Sequence, residues 1–235
     1  MRWLRISLVL VLSLLLMPAG AVAESPGLAP TGADPAINRP YLDPDFEQWK
    51  GRFERPGREV YDHRERILEA LALESGAAVA DVGAGTGLFT LLFAEAVGEE
   101  GRVYAVDISR TFVDNIERRA AAAGHENVIG IIGEQAGVGL DAESVDLVFT
   151  SDTYHHFEQP EAMVRAIHAA LRPGGEFVLI DFERIEGHSS RWILEHVRAG
   201  KETVIEEVEA EGFRLIGEED FLNENYFLRF EKPAS

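Results

Sequence analysis

A glycine-rich turn between a short apolar run and an amphipathic segment constrains the fold of this chain most strongly. Residues 77–82 are small and apolar, residues 83–87 carry three glycines at alternate positions, and residues 85–97 have helical spacing. Glycine adopts positive φ at low cost and lets the backbone approach a ligand closely. The N-terminus of the following helix offers unpaired N–H groups. The turn therefore predicts a ligand site at the carboxyl end of a buried strand.

Strand-like and helical patterns alternate through the rest of the chain. Strands are predicted at 102–106, 127–132, 145–150 and 175–182, and helices at 58–73, 110–123, 161–171 and 201–211. This alternation predicts a parallel sheet covered by helices on both faces. Two last strands, 213–216 and 226–230, are too close in sequence for a helical crossover, so we expect them to pair antiparallel as a hairpin at a sheet edge.

Two acids flank the glycine-rich turn. Asp81 stands two residues before the first glycine, and Asp107 ends the next predicted strand. A carboxylate at the second position can accept both ribose hydroxyls of an adenosine cofactor. Dinucleotide-binding turns have the spacing G-x-G-x-x-G, whereas this chain has G-x-G-x-G, and Asp81 would repel a pyrophosphate. The pattern favours a ligand with an amino group and disfavours a nicotinamide-dependent dehydrogenase.

With these motifs in order, residues 58–231 resemble the class I S-adenosylmethionine-dependent methyltransferases, in particular the small-molecule branch around the quinone-biosynthesis enzymes. The matching segments are Asp81–Gly87, Asp107, Gly133-Glu134, Asp146–Phe149 followed by Tyr154–Phe157, and the turn Leu171–Gly175. The resemblance implies an α/β, Rossmann-like methyltransferase domain over residues 46–235. Its sheet would have seven strands, mostly parallel, with an antiparallel C-terminal strand and helices on both faces.

The resemblance also implies S-adenosyl-L-methionine as the cofactor and methyl transfer as the reaction. The residues expected to bind the cofactor are Asp81, Gly83, Ala84, Gly85, Thr86, Gly87, Asp107, Ile108, Glu134 and Ser151. Within this set Asp81 would take the methionine amino group, Asp107 the ribose, and Glu134 the region of the adenine.

The segment after the fourth strand is expected to face the transferred methyl group. Candidate catalytic residues there are Asp152, His155 and His156, with either histidine as a base for an acceptor that carries a proton. Candidate substrate residues are Tyr61, His63, Tyr154 and Trp192, and His188 and His196 fall in the same predicted lid region as Trp192. No metal site is predicted, because adjacent histidines point apart in a strand.

Composition narrows the range of expected partners and of expected methylation reactions. The formal charge is −19 and the basic residues do not cluster, so nucleic acid is not an expected partner. The chain has no cysteine, which removes cytosine C5 and arsenite methylation in their familiar forms. Ser151-Asp152-Thr153-Tyr154 replaces the Asn/Asp-Pro-Pro-Tyr/Phe of enzymes that methylate exocyclic amines of DNA bases. A small-molecule acceptor is the remaining expectation, and the oligomeric state is not predicted.

The N-terminal segment predicts export. Residues 1–23 combine two arginines, a 12-residue apolar run from Ile6 to Met17 and a small-residue site ending at Ala23, the pattern of a cleaved signal peptide. We therefore expect a periplasmic or secreted protein with no stable membrane partner unless the segment stays uncleaved. Residues 24–45 hold five prolines and are interpreted as a linker or extended arm.

Export leaves two functions open, because S-adenosylmethionine is made in the cytoplasm. The first is an exported methyltransferase that acts on a small molecule. The second is a non-catalytic periplasmic binding module that uses the same fold to hold an adenosyl or other small ligand.

Overall fold

A seven-stranded sheet forms the centre of the computed structural model, which describes residues 32–234. Its strands are β1 (Ala78–Val82), β2 (Arg102–Asp107), β3 (Val128–Ile132), β4 (Val145–Ser151), β5 (Leu171–Phe182), β6 (Arg214–Glu219) and β7 (Asn225–Glu231). The order is β3-β2-β1-β4-β5-β7-β6. β7 runs antiparallel to β5 and β6, and the other neighbours pair in parallel. The predicted α/β, Rossmann-like sheet is confirmed, with β7 lying between β5 and the edge strand β6.

Helices and short turns connect the strands. The helices are α1 (Arg39–Leu42), α2 (Phe46–Phe53), α3 (Glu59–Asp62), α4 (Arg64–Leu71), α5 (Leu88–Val97), α6 (Arg110–Ala123), α7 (Pro160–Ala170), α8 (Arg191–His196) and α9 (Lys201–Ala210). Two 3₁₀ turns lie at Pro35–Asn38 and Tyr154–His156. Across residues 32–234, no helix combines the length and the apolar character that crossing a bilayer requires.

The central strands of the sheet are buried on both faces, as expected for parallel strands between helices. Every residue of β1 is buried. On one face Ala78 and Ala80 share a core with α7 and α9, and on the other Val79 shares a core with α4 and α5. The carboxyl ends of β1, β2, β4 and β5 therefore meet at one rim, where open α/β sheets bind their ligands.

Two segments differ from the sequence prediction in their local structure. The helix predicted over 58–73 is split at His63 into α3 and α4. The turn predicted at 171–175 is an irregularity inside β5, because Val145 pairs with Leu171 while Leu147 pairs with Glu176. Each difference leaves the direction of the chain and the position of the rim unchanged.

The interpretation of residues 24–45 as an extended arm is wrong for residues 35–42, which are helical. Asp34 begins the first turn, since its side chain accepts a hydrogen bond from the Ala36 N–H at 2.8 Å. Prolines suit such starts because a first-turn N–H has no partner in the helix. The predicted signal peptide, residues 1–23, and the first part of the predicted arm lie outside the described residues.

Candidate functional site

A cavity of about 650 Å³ lies at the carboxyl rim of the sheet. That volume is within the ~300–1,000 Å³ range of small-molecule sites. Its floor comes from the segments after β1, β2, β4 and β5, and residues of the N-terminal helices cover it. The sheet topology thus brings together side chains that are more than a hundred residues apart in sequence.

The glycine-rich loop has the geometry that its sequence predicts. Gly83, Gly85 and Gly87 have φ values of 76°, 55° and 83°, a region that L side chains rarely adopt. A Cβ on Gly83 would stand 2.2 Å from the Thr153 side chain, so the site also requires glycine for space. Gly83 and Gly85 line the cavity, whereas Gly87 precedes α5 and lies outside the lining.

Asp81 is a buried carboxylate at the cavity wall. It is 3% exposed, and its Oδ2 accepts a hydrogen bond from the Thr90 hydroxyl at 2.6 Å. Burial raises its pKa to about 7, the Thr90 hydrogen bond opposes this rise, and the charge of Asp107 adds to it. The free-energy cost of ionising a carboxyl with this pKa is lowest when a cation binds beside it.

Asp107 is held in place by the loop itself. Its Oδ2 accepts from the Gly85 N–H and its Oδ1 from the Ser109 N–H, both at 2.8 Å. Burial raises the pKa of Asp107 to about 6, against the effect of these backbone donors. Each oxygen keeps a second lone pair, so the carboxylate can still accept hydroxyl donors from a ligand.

The remaining predicted cofactor residues line the same cavity. They are Ala84, Thr86, Ile108, Glu134 and Ser151. The Ser151 Oγ atom is buried and has no hydrogen-bond partner among the described residues. A buried hydroxyl without a partner costs about 1–3 kcal/mol, so this atom is suited to a polar ligand atom.

Asp152 lines the cavity, but both of its oxygens are already engaged. Oδ2 pairs with the Arg58 guanidinium at 2.7 Å, and Oδ1 accepts from Asn225 Nδ2 at 2.6 Å. Burial raises its pKa, while the Arg58 charge lowers it. Its φ of 50° fixes the backbone in the left-handed region at this point. The arrangement makes Asp152 a residue that positions the loop after β4.

The two predicted histidines lie in the 3₁₀ turn after β4, not in a strand, and both line the cavity. His155 Nδ1 contacts Asp181 Oδ1 at 2.7 Å, and His156 Nδ1 contacts Asn38 Oδ1 at 3.0 Å. Adjacent histidines therefore do not point apart here, since the ring centroids of His155 and His156 are 4.3 Å apart.

Three of the predicted substrate residues lie outside the cavity, so these predictions are corrected. Tyr154 is 1% exposed and donates its hydroxyl to Glu207 Oε2 at 2.8 Å, within the core. The Tyr61 ring contacts Arg64, and the His63 ring contacts Phe221, on the surface beside α4. Trp192 does line the cavity, with 53% of its surface exposed.

The N-terminal segment is the part of the site that the sequence analysis missed. Tyr41, Trp49 and Phe53 form an aromatic row over the cavity, with ring centroids 4.6 and 5.1 Å apart. Arg119 connects this segment to the loop, because it pairs with Glu54 and donates to the Thr86 carbonyl. The spacing of these three aromatic residues could have indicated a part of the site. The neighbouring prolines favoured a linker instead.

Comparisons with known proteins agree with this geometry. Residues 79–175 match the family model described as Methyltransferase domain. A demethylmenaquinone methyltransferase from Geobacillus stearothermophilus is 28% identical over 118 residues, 50% of this chain and 50% of that protein. The chain thus spans about half the length of the curated relatives it matches.

Solved structures match over a longer stretch. A SAM-dependent methyltransferase from Aquifex aeolicus superposes with a TM-score of 0.71 at 24% identity, covering 80% of this chain and 98% of that one. A possible exported protein from Bordetella parapertussis has a TM-score of 0.63 at 17% identity, covering 83% and 81%. The chain therefore has the class I methyltransferase fold, and its residues 79–175 carry the sequence pattern of a methyltransferase domain.

Proposed function

We propose that this protein is an S-adenosylmethionine-dependent methyltransferase that acts on a small molecule. The observation that carries the proposal is the pair of buried acids, Asp81 and Asp107, on either side of a glycine loop in a cavity of about 650 Å³. Burying two carboxylates with raised pKa values beside a void is costly unless a ligand with donors or positive charge fills it.

The residues present fit this cofactor. The methionine ammonium would lie against Asp81, and the ribose hydroxyls would donate to Asp107. Glu134 and Ile108 border the part of the cavity next to Asp107, where the adenine would lie. A dinucleotide fits poorly, because its pyrophosphate would stand against the acids of the loop.

The bound cofactor supplies an electrophilic methyl group on a sulfonium, and the chain supplies position and environment. Methyl transfer is an in-line displacement, so holding the acceptor opposite the sulfur accounts for a large part of the rate. The loop after β4 stays rigid through the Arg58–Asp152 ion pair. The aromatic row of Tyr41, Trp49 and Phe53 limits the access of water to the cavity.

The lining of the cavity supports an aromatic acceptor that carries a hydroxyl group. Tyr41, Trp49, Phe182 and Trp192 contribute aromatic surface, while His156 contributes an imidazole. Planar ring systems stack on such walls. The demethylmenaquinone methyltransferases among the relatives have a quinone, a planar ring system, in their name.

Export is a further part of the proposal. The arginine-flanked apolar run of residues 1–23 supports a signal peptide. One structural neighbour is described as a possible exported protein. N-terminal sequencing of the protein secreted or released from the periplasm should begin at Glu24, and a start at Met1 would contradict cleavage.

A turnover assay tests the enzymatic function. The purified protein, S-adenosylmethionine and a panel of phenols, catechols and quinols should give S-adenosylhomocysteine in proportion to a methylated product. Asp107→Asn should abolish turnover, while the exposed control Asp114→Asn should retain it. Cofactor binding without turnover on any acceptor would instead favour the non-catalytic binding module.

A further inference from the structure

Three histidines meet at the acceptor side of the cavity. His155 and His156 come from the 3₁₀ turn after β4, and His196 comes from the last turn of α8. One ring nitrogen from each lies within 4.8 Å of the others. The ring centroid of His196 is 5.2 Å from that of His155 and 5.3 Å from that of His156.

The hydrogen bonds of His155 leave one nitrogen bare. Asp181 accepts from both the backbone N–H of His155 at 2.9 Å and its ring at Nδ1, 2.7 Å away. A carboxylate accepts and does not donate, so the ring proton lies on Nδ1. His155 is 3% exposed, and its Nε2 has no partner among the described residues. The Nε2 atom of His155 therefore has a buried lone pair at the cavity that is available to bind an electron-pair acceptor.

The hydrogen bonds of His156 lead to the same tautomer. Asn38 donates from Nδ2 to the His156 carbonyl at 3.0 Å and to Glu158 Oε1 at 2.8 Å, which fixes the orientation of the amide. The Asn38 Oδ1 atom must then accept from His156 Nδ1 at 3.0 Å. The Nε2 atom of His156 is left as a lone pair as well.

The hydrogen bonds to Asp181 and Asn38 are also of the kind that supports metal-binding histidines. An imidazole that donates one N–H to a carboxylate or amide oxygen and offers its other nitrogen is the usual arrangement around protein-bound metals.

We propose that His155, His156 and His196 bind a divalent transition-metal ion of the zinc type, with a coordination position open to the cavity. Three neutral nitrogen ligands suit zinc, cobalt or nickel and do not suit magnesium or calcium, which prefer oxygen. Three protein ligands with a free fourth position are typical of catalytic zinc sites.

Closing the site requires modest movement. With Zn–N bonds of ~2.0–2.1 Å, tetrahedral nitrogens stand roughly 3.3 Å apart. The ligand atoms lie within 4.8 Å here, so each pair needs to approach by about 1.5 Å at most. Rotation of the His196 ring can supply this movement, because that ring is partly exposed, stacks on Trp192 at a centroid distance of 4.5 Å and meets the other two histidines edge-on.

A metal here would bind the hydroxyl of the acceptor, and this consequence rests on the proposed methyltransferase function. On such an ion the O–H bond would break more easily, with the proton passing to water and the electron pair staying on the oxygen. The chain would then need no protein base for an acceptor that carries a hydroxyl group.

Cobalt absorption and zinc calorimetry on protein made without a polyhistidine tag test the site directly. After treatment with a chelator, the protein should bind one equivalent of Co²⁺ with the strong visible bands of a low-coordinate nitrogen site, and Zn²⁺ should displace it. Asn38→Ala should weaken Zn²⁺ binding about 10–100-fold, because it removes the support of His156.

His196→Ala should abolish the cobalt bands, while the matched control His188→Ala, an exposed histidine outside the cluster, should keep them. Failure of the wild-type protein to bind stoichiometric metal, or equal binding by both variants, would overturn the site. Titration of His196→Ala with S-adenosylhomocysteine separates the two proposals. Retained affinity in this variant shows a cofactor pocket that is folded without the metal. Failure of the wild-type protein to bind S-adenosylhomocysteine while it binds Co²⁺ would count against the proposed function alone.

Discussion

Binding of the adenosyl ligand should depend steeply on pH below neutrality. The pKa is about 7 for Asp81 and about 6 for Asp107, because both carboxyls are buried without a cation. The ligand needs the charged forms, one to pair with its ammonium and one to accept its ribose hydroxyls. An α-ammonium with an ordinary pKa of ~7.7–8.0 stays charged below pH 7. The ionisation of Asp81 and Asp107 therefore controls how the affinity for the ligand changes with pH.

The size of the effect follows from the fraction of each group that is already ionised. Between pH 7 and pH 5, the ionised fraction of Asp81 falls about 50-fold and that of Asp107 about 10-fold. Together these are roughly 500-fold in affinity, or about 3.7 kcal/mol. At pH 6 binding should release about one proton from Asp81 and about half a proton from Asp107.

Calorimetric titration with S-adenosylhomocysteine measures both quantities. Affinities from pH 5 to pH 7 give the slope, and buffers of different ionisation enthalpy give the protons released. Asp81→Asn should reduce the pH dependence to the Asp107 share, at a lower overall affinity. A flat affinity over this range, or binding without proton release at pH 6, would refute the assignment of the two acids to the ligand.

The same shifts predict how the ligand-free protein responds to pH. A carboxyl whose pKa is higher in the folded state binds more protons there than in the unfolded chain. Stability should therefore fall as the pH rises from about 4 to about 7, with Asp81 responsible for the upper part of this window. Urea unfolding at several pH values measures the slope, and Asp81→Asn should flatten it. A stability that rises over this interval would contradict the burial of uncompensated acids.

The remaining predictions concern single residues. Gly83→Ala should abolish S-adenosylhomocysteine binding, since the new Cβ meets Thr153, whereas Gly76→Ala, also at positive φ but with open space, should cost only ~1–3 kcal/mol of backbone strain and keep affinity. Arg58→Ala should lower the unfolding free energy by roughly 3–5 kcal/mol because it leaves the buried Asp152 without a cation; a loss below 1 kcal/mol in urea unfolding would refute this. Tyr154→Phe should lower stability by about 1–3 kcal/mol and leave S-adenosylhomocysteine affinity unchanged; a weaker affinity would place Tyr154 in the site after all.

The elements around the loop could be predicted because local signals and tertiary structure agree there. α6 spans the predicted residues 110–123, since the Ser109 side chain caps its start and Gly124 ends it at a φ of 83°. Asp81 and Asp107 could be placed for a similar reason: strand ends of a parallel sheet meet at one rim, so position in sequence gives position in the site.

The missed features depend on contacts between distant segments. Asn38 lies 118 residues from His156, and nothing in the local sequence indicates that their side chains meet. Prolines near Asn38 favour a linker by composition, yet Pro35 and Pro40 occupy the first turns of short helices. Tyr154 was misplaced for the same reason, because its hydroxyl donates to Glu207, which lies 53 residues further along the chain.

Calorimetric titration of the purified protein with S-adenosylmethionine and S-adenosylhomocysteine at pH 7 decides whether the cavity binds an adenosyl ligand. We expect one site per chain with micromolar affinity, about −8 kcal/mol, for both ligands. Absence of binding to either at millimolar concentration would contradict it, and the acids of the rim would then serve a different cationic ligand.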